Sequence, residues 1–146
     1  MGAPPRDSDG RVVPHDDPDI AENAYVLRNI VPEWLTAHPT LPAQRRLSSA
    51  AFSPSSKPRD PYQGMSVDLL QPMLDAGLPA TGGKGAKHEA VVRLRVGELR
   101  RLGLQVGQDP RDANPFHAAV WGIKKGMKSK ILNLCEWVDK PDDVIT

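Results

Sequence analysis

The chain has 146 residues and a formal charge of only +1. That is about one domain's length, enough to bury roughly two thirds of the unfolded surface, and the near-zero charge excludes a molecule-wide pull toward nucleic acid or anionic lipid. Cys135 is the only cysteine, so no intrachain disulfide can form. With 15 prolines, 12 glycines and few aromatics, the composition favours short elements joined by many turns over a helical bundle.

No stretch approaches the ~18 apolar residues of a membrane span, and the N-terminus lacks the apolar core of a signal peptide. A cytoplasmic protein with no membrane partner is therefore expected. His15, His38, His88 and His117 show no short ligand spacing with one another or with Cys135, so no metal is expected.

Residues 1–22 set two arginines against six acids, a net of −4. The stretch is rich in Pro and Asp and poor in large apolar residues, which predicts a flexible acidic arm that buries too little to offset its ordering entropy. It should be dispensable to a domain spanning 23–140, with 141–146 as a tail. The run AYVLRNIV, Ala24 to Val31, is β-branched and aromatic and is stopped by Pro32, which reads as a strand. Strict alternation puts Val26, Arg28 and Ile30 on one face and Tyr25, Leu27 and Asn29 on the other. Arg28 is thus a lone charge on a face that would otherwise be apolar.

After Pro32, EWLTAH reads as one helical turn. Ala50 to Ser53, preceded by Ser48 and Ser49, and GMSVD, Gly64 to Asp68, read as brief extended segments. The loop between them, PSSKPRDPYQ, has the chemistry of a solvent-exposed flap over a site. Val67 to Asp75 fits a short helix that Gly77 ends. TGGKGAKH, Thr81 to His88, lacks the spacing of a phosphate loop and reads as a flexible connection.

From Ala90 the pattern tightens. AVVRLRV alternates as a strand, with Val92, Leu94 and Val96 opposed to Val91, Arg93 and Arg95, and GELRRLG follows as a single turn of helix. Leu104 to Val106 makes a short extended stretch. FHAAVWGI reads as a strand with His117, Ala119 and Trp121 on one face. In SKILNLCEWV the residues Ile131, Leu134, Cys135 and Val138 recur at helical spacing, predicting a C-terminal helix docked by that stripe. Lys124, Lys125, Lys128 and Lys130 crowd its start, where cations oppose the helix dipole and an anion is favoured. The fold class these elements define is α+β: a single small domain with a short-stranded mixed sheet, short helices and a docked C-terminal helix.

The succession Ser-Ser-Ala-Ala-Phe, Met-Ser-Val and Asn-Pro-x-His-Ala resembles that of a group of small bacterial proteins, a likeness that spans Tyr25 to Val138 and implies no particular activity. The strand carrying Arg28, the paired serines and the strand, short helix, glycine, strand order of Ala90 to Val106 also resemble the ADP-ribosyltransferase-like fold, in particular its RNA 2′-phosphotransferase branch. That resemblance implies an enzyme of toxin or defence type acting on NAD or a phosphorylated nucleotide or nucleic acid. Arg28 would bind phosphate, Ser48 and Ser49 would fix the pocket, and His117 would polarise a group on a last strand, NPFHAAVWG, that has no acid. The alternative is a non-catalytic module that binds nucleic acid or a protein partner through Lys124, Lys125, Lys128 and Lys130 together with Arg93, Arg95, Arg100 and Arg101.

Overall fold

The computed structural model describes residues 2–56 and 60–145. Part of the flap, Lys57 to Arg59, lies outside them. Eight strands form: β1 Tyr25–Ile30, β2 Leu35–Ala37, β3 Arg45–Leu47, β4 Met65–Leu69, β5 Ala90–Arg95, β6 Gln105–Gln108, β7 His117–Trp121 and β8 Glu136–Asp139. Three short helices, α1 Leu70–Asp75, α2 Val96–Arg101 and α3 Met127–Leu134, join them. Six strands make one sheet in the order β6-β7-β4-β1-β5-β8, and β2 pairs with β3 in a separate ribbon. The α+β expectation holds. Where a mixed sheet was expected, the pairings between these strands are antiparallel.

The alternation read from β1 and β5 sets the core. Val26, Ile30, Val92, Leu94 and Val96 face one side, where they meet Met65, Val67, Val106, Val120, Phe52 and Ile131. Phe52 is fully buried there on a 3₁₀ turn, Ser49–Phe52. The sequence suggested an extended segment at that point; a serine cap followed by Ala-Ala-Phe, without β-branched residues, favours the turn instead. EWLTAH likewise divides into a 3₁₀ turn at Pro32–Trp34 and strand β2. The opposite face carries two small apolar clusters, Leu27, Met73 and Val91 at one end and Val12, Ala119 and Trp121 at the other.

Two segments differ from expectation for a shared reason. The C-terminal helix stops at Leu134, and Glu136–Asp139, read as its continuation, instead pairs with β5. Trp137 and Val138 suit a strand, and the free edge of β5 offers partners for backbone groups that a helix end would leave unpaired. Ile131 keeps its place in the core, but Val138 packs on the other face.

The acidic stretch, for its part, is not a loose arm. Val12 and Ile20 are buried, and the Asp17 N–H donates to Val106 O at 2.9 Å. The Asp16 carboxylate accepts from the Val106 N–H at 3.1 Å, so the stretch covers the outer edge of β6. Arg100 of α2 clasps it, bonding to Asp16, Glu22 and the Asp17 carbonyl at 3.0, 3.1 and 2.8 Å. The many aspartates that suggested disorder are the acceptors that fasten it.

The tail is secured in the same way. Val144 is buried, Ile145 N–H donates to Arg45 O, and Arg45 forks between Glu89 and Asp143. Arg45 hydrogen bonds hold both carboxyls below their ordinary range. The stability they add is present above the unfolded carboxylate value of about 4 and is lost as pH falls toward their lower native values.

Deleting residues 2–20 exposes the β6 edge and removes Val12 and Ile20, each contributing about 1.5–3 kcal/mol when fully buried. The truncated chain should melt at least about 5 °C below the full one by calorimetry. An unchanged midpoint would return this stretch to the status of a loose arm.

Candidate functional site

The sheet parts at its centre. β1 pairs with β5 over six residues and β4 with β7 over four, yet β1 and β4 share only Val26↔Leu69 and Leu27↔Asp68. Beyond Leu27 the two strands are no longer registered to each other, and the side chain of Arg28 fills the gap. Its Nε donates to Ala51 O at 2.9 Å and its Nη1 to Ser66 O at 2.8 Å, so the guanidinium serves a β4 carbonyl that no β1 amide reaches. The same guanidinium stacks on Trp34, 4.6 Å from the ring centroid, a cation–π contact.

Burial alone lowers Arg28 to about 10, which leaves it charged at neutral pH. No carboxylate pairs with it among the described residues, whereas Arg45 and Arg100 are each matched by two acids. A desolvated cation without a counter-charge is costly unless something anionic completes it.

Arg28 lines a cleft of about 820 Å³ whose other walls include Trp34, Asp68, Lys87, His88 and His117. Asp68 is only 4% exposed. Its carboxylate accepts from Asn114 Nδ2 at 2.7 Å and Asn29 Nδ2 at 3.3 Å, and Asn29 also donates to Gly83 O at 3.1 Å. This explains a glycine of the Gly-rich segment: a Cβ at Gly83 would collide with the Asp68 carboxylate. The segment read as a flexible connection is fixed here, and again where Lys84 pairs with Asp139.

The two histidines are held by different bonds. His88 Nδ1 accepts from the Gly85 N–H at 2.8 Å. Burial, then the charges of Lys87 and Arg28, push this imidazole below its usual value against the opposing pull of Asp68. His117 Nδ1 lies 2.7 Å from Asp109 O and 3.4 Å from Asp109 Oδ2. Burial would raise the Asp109 carboxyl, but its bonds to His117 and Arg111 outweigh that and hold it below its ordinary value.

Of the residues proposed from sequence, Arg28 and His117 share this cleft, but Ser48 and Ser49 do not line it. Ser48 Oγ caps the 3₁₀ turn by accepting from the Ala50 N–H at 3.2 Å. The serines build the turn whose Ala51 carbonyl holds Arg28, a structural role.

Lys124, Lys125 and Lys130 are exposed and Lys128 is half-buried, and none of them lines the cleft. Two arginines assigned to the same basic surface are engaged elsewhere, Arg93 with Glu136 and the Tyr25 ring and Arg100 with the acidic stretch. Cys135 donates to Leu132 O at 3.2 Å, and burial raises its thiol to about 11, which suits an inert side chain.

Sequence reasoning missed Asp68, His88, Asn29, Asn114 and Trp34 as wall residues. The available signal was MSVDL itself, where Ser66 and Asp68 alternate with three apolar residues on a strand too central for its polar face to be plain surface. Among the described residues no group of His, Cys, Asp and Glu has the grouping to hold a metal, and no helix is long and apolar enough to cross a membrane. Comparison with protein-family models, curated proteins and solved structures finds no match for this chain.

Gly83→Ala tests how tightly this wall is built. The added methyl must displace Asp68 or the 81–88 segment, and the expected cost is about 1–3 kcal/mol in urea unfolding. Gly85→Ala, where the new Cβ meets only the His88 ring at ordinary contact distance, should cost less.

Proposed function

We propose that the split cleft binds a phosphorylated nucleotide, NAD or a close relative, and that the protein is an ADP-ribosyltransferase-like enzyme. One observation carries this reading: the half-buried Arg28 lines a nucleotide-sized cleft with no acid among the described residues to balance it. The volume lies within the 300–1,000 Å³ typical of small-molecule sites. Nη2 of Arg28 makes no bond to the described residues and is left to meet a phosphate, supported by the exposed Lys87. Planar, fixed donors of this kind favour arginine over lysine for phosphate.

The remaining walls fit the rest of such a ligand. Trp34 offers an aromatic surface, and the Asp68 carboxylate is suited to accept ribose hydroxyls and to face positive charge developing on the sugar. In the transfer, the C1′–N bond of NAD breaks with its electron pair going to the nicotinamide nitrogen, and an acceptor oxygen bonds to C1′. The alternative reading, a non-catalytic module using the basic turn, has less support, because two of its four supporting arginines are engaged within the protein, Arg93 with Glu136 and Arg100 with Asp16.

Titration calorimetry of the full chain with ADP-ribose tests the cleft. Arg28→Lys should weaken binding at least about tenfold, the equivalent of 1.4 kcal/mol, with the helix and strand content unchanged. Replacing Lys124, Lys125, Lys128 and Lys130 by Gln should leave binding within about twofold, since these residues do not touch the cleft. The opposite pattern, or no binding by the parent chain, would overturn the reading.

A further inference from the structure

The two cleft histidines are locked in opposite tautomers. Both contacts of His117 Nδ1, the Asp109 carbonyl and the Asp109 carboxylate, are acceptors, so Nδ1 must carry a proton and the neutral ring presents a bare Nε2. His88 is the reverse: its Nδ1 accepts a backbone N–H, so its proton sits on Nε2. Only His117 therefore offers the cleft an imidazole lone pair. It stands directly across from Asp68 on neighbouring strands, and side chains in such register share a face.

We propose that His117 is the general base of the site, that Asp109 is its positioning residue, and that the group accepting the transferred sugar is a hydroxyl. This rests on the nucleotide reading of the cleft. As the acceptor oxygen bonds to C1′, its O–H bond breaks and the proton passes to Nε2 of His117, while the departing nicotinamide takes the electron pair of the glycosidic bond. A hydroxyl needs this assistance, because it is a weak nucleophile until its proton is removed.

Asp109 holds the Nδ1 side of the ring and is itself held by Arg111 at 2.9 Å. The test is nicotinamide release from NAD, with water as the hydroxyl, by the full-length chain.

His117→Asn keeps an N–H donor for the Asp109 carbonyl but has nothing at the Nε2 position. It should lower kcat by about 10²–10⁴-fold with KM within threefold and ADP-ribose binding retained. Asp109→Asn should lower kcat with KM and ADP-ribose binding within threefold, a split that a merely structural role would not produce. Nitrogen NMR of the imidazoles should show His117 protonated at Nδ1 and bare at Nε2, a readout independent of turnover.

Three results overturn the base: a proton on Nε2 of neutral His117, a His117→Asn rate within twofold of the parent while Arg28→Lys abolishes release, or a kcat unmoved by Asp109→Asn. Those outcomes leave the nucleotide site standing. A parent chain that fails to bind ADP-ribose overturns the site and the base together.

Discussion

Arg28 is placed where an antiparallel ladder gives out. In most sheets the carbonyl of a central strand is served by the amide of its neighbour, but here β1 and β4 share two residue pairs and the ladder between them goes no further. A guanidinium does what backbone cannot across the wider gap, donating to the β4 carbonyl of Ser66 on one side and to the 3₁₀ turn at Ala51 on the other. The cleft exists because the strands separate, and it keeps its shape because Arg28 spans the separation. On the nucleotide reading proposed for the cleft, the charge that props the opening is also the one a phosphate would meet.

Periodicity made much of this legible. The alternation in Tyr25 to Ile30 and in Ala90 to Arg95 put the right residues on each face, and Arg28 stood out because it broke the pattern. His117 was visible as the polar member of its strand. What could not be read was whatever depends on a partner distant in sequence. Asp68 looks like an ordinary helix cap until Asn29 and Asn114, 39 and 46 residues away, are seen to hold it. Ser48 and Ser49 looked like site residues because serines often are, and only the turn geometry shows one of them capping. The acidic stretch misled for an instructive reason: composition measures what a segment can bury by itself, whereas aspartates 16 and 17 are ordered by groups that α2 and β6 supply.

Long-range closure recurs through the molecule. Arg45 meets Asp143 across 98 residues, Arg100 meets Asp16 across 84, and Tyr62 meets Asp7 across 55, its hydroxyl donating at 2.6 Å. Each of these contacts ties a chain end to the middle of the fold. Non-local pairing of this kind costs loop-closure entropy before it is rewarded, which slows folding relative to a chain of local contacts.

The short join between β1 and β4 has a mechanical consequence. It divides the six strands into two triplets, β6-β7-β4 and β1-β5-β8, whose ladder to each other is two residue pairs, supplemented by the side-chain bonds of Arg28 to Ser66 and of Asn29 to Asp68 and by the shared core. Among the joins of this sheet the seam has the fewest registered pairs, so displacing one triplet against the other breaks the least ladder bonding. Arg28 rides on one triplet, and Asp68 and His117 ride on the other. A molecule gripped by all three is therefore a rivet across the seam, and the width of the cleft, the reach of its groups and the rigidity of the whole sheet are then set together by what it holds.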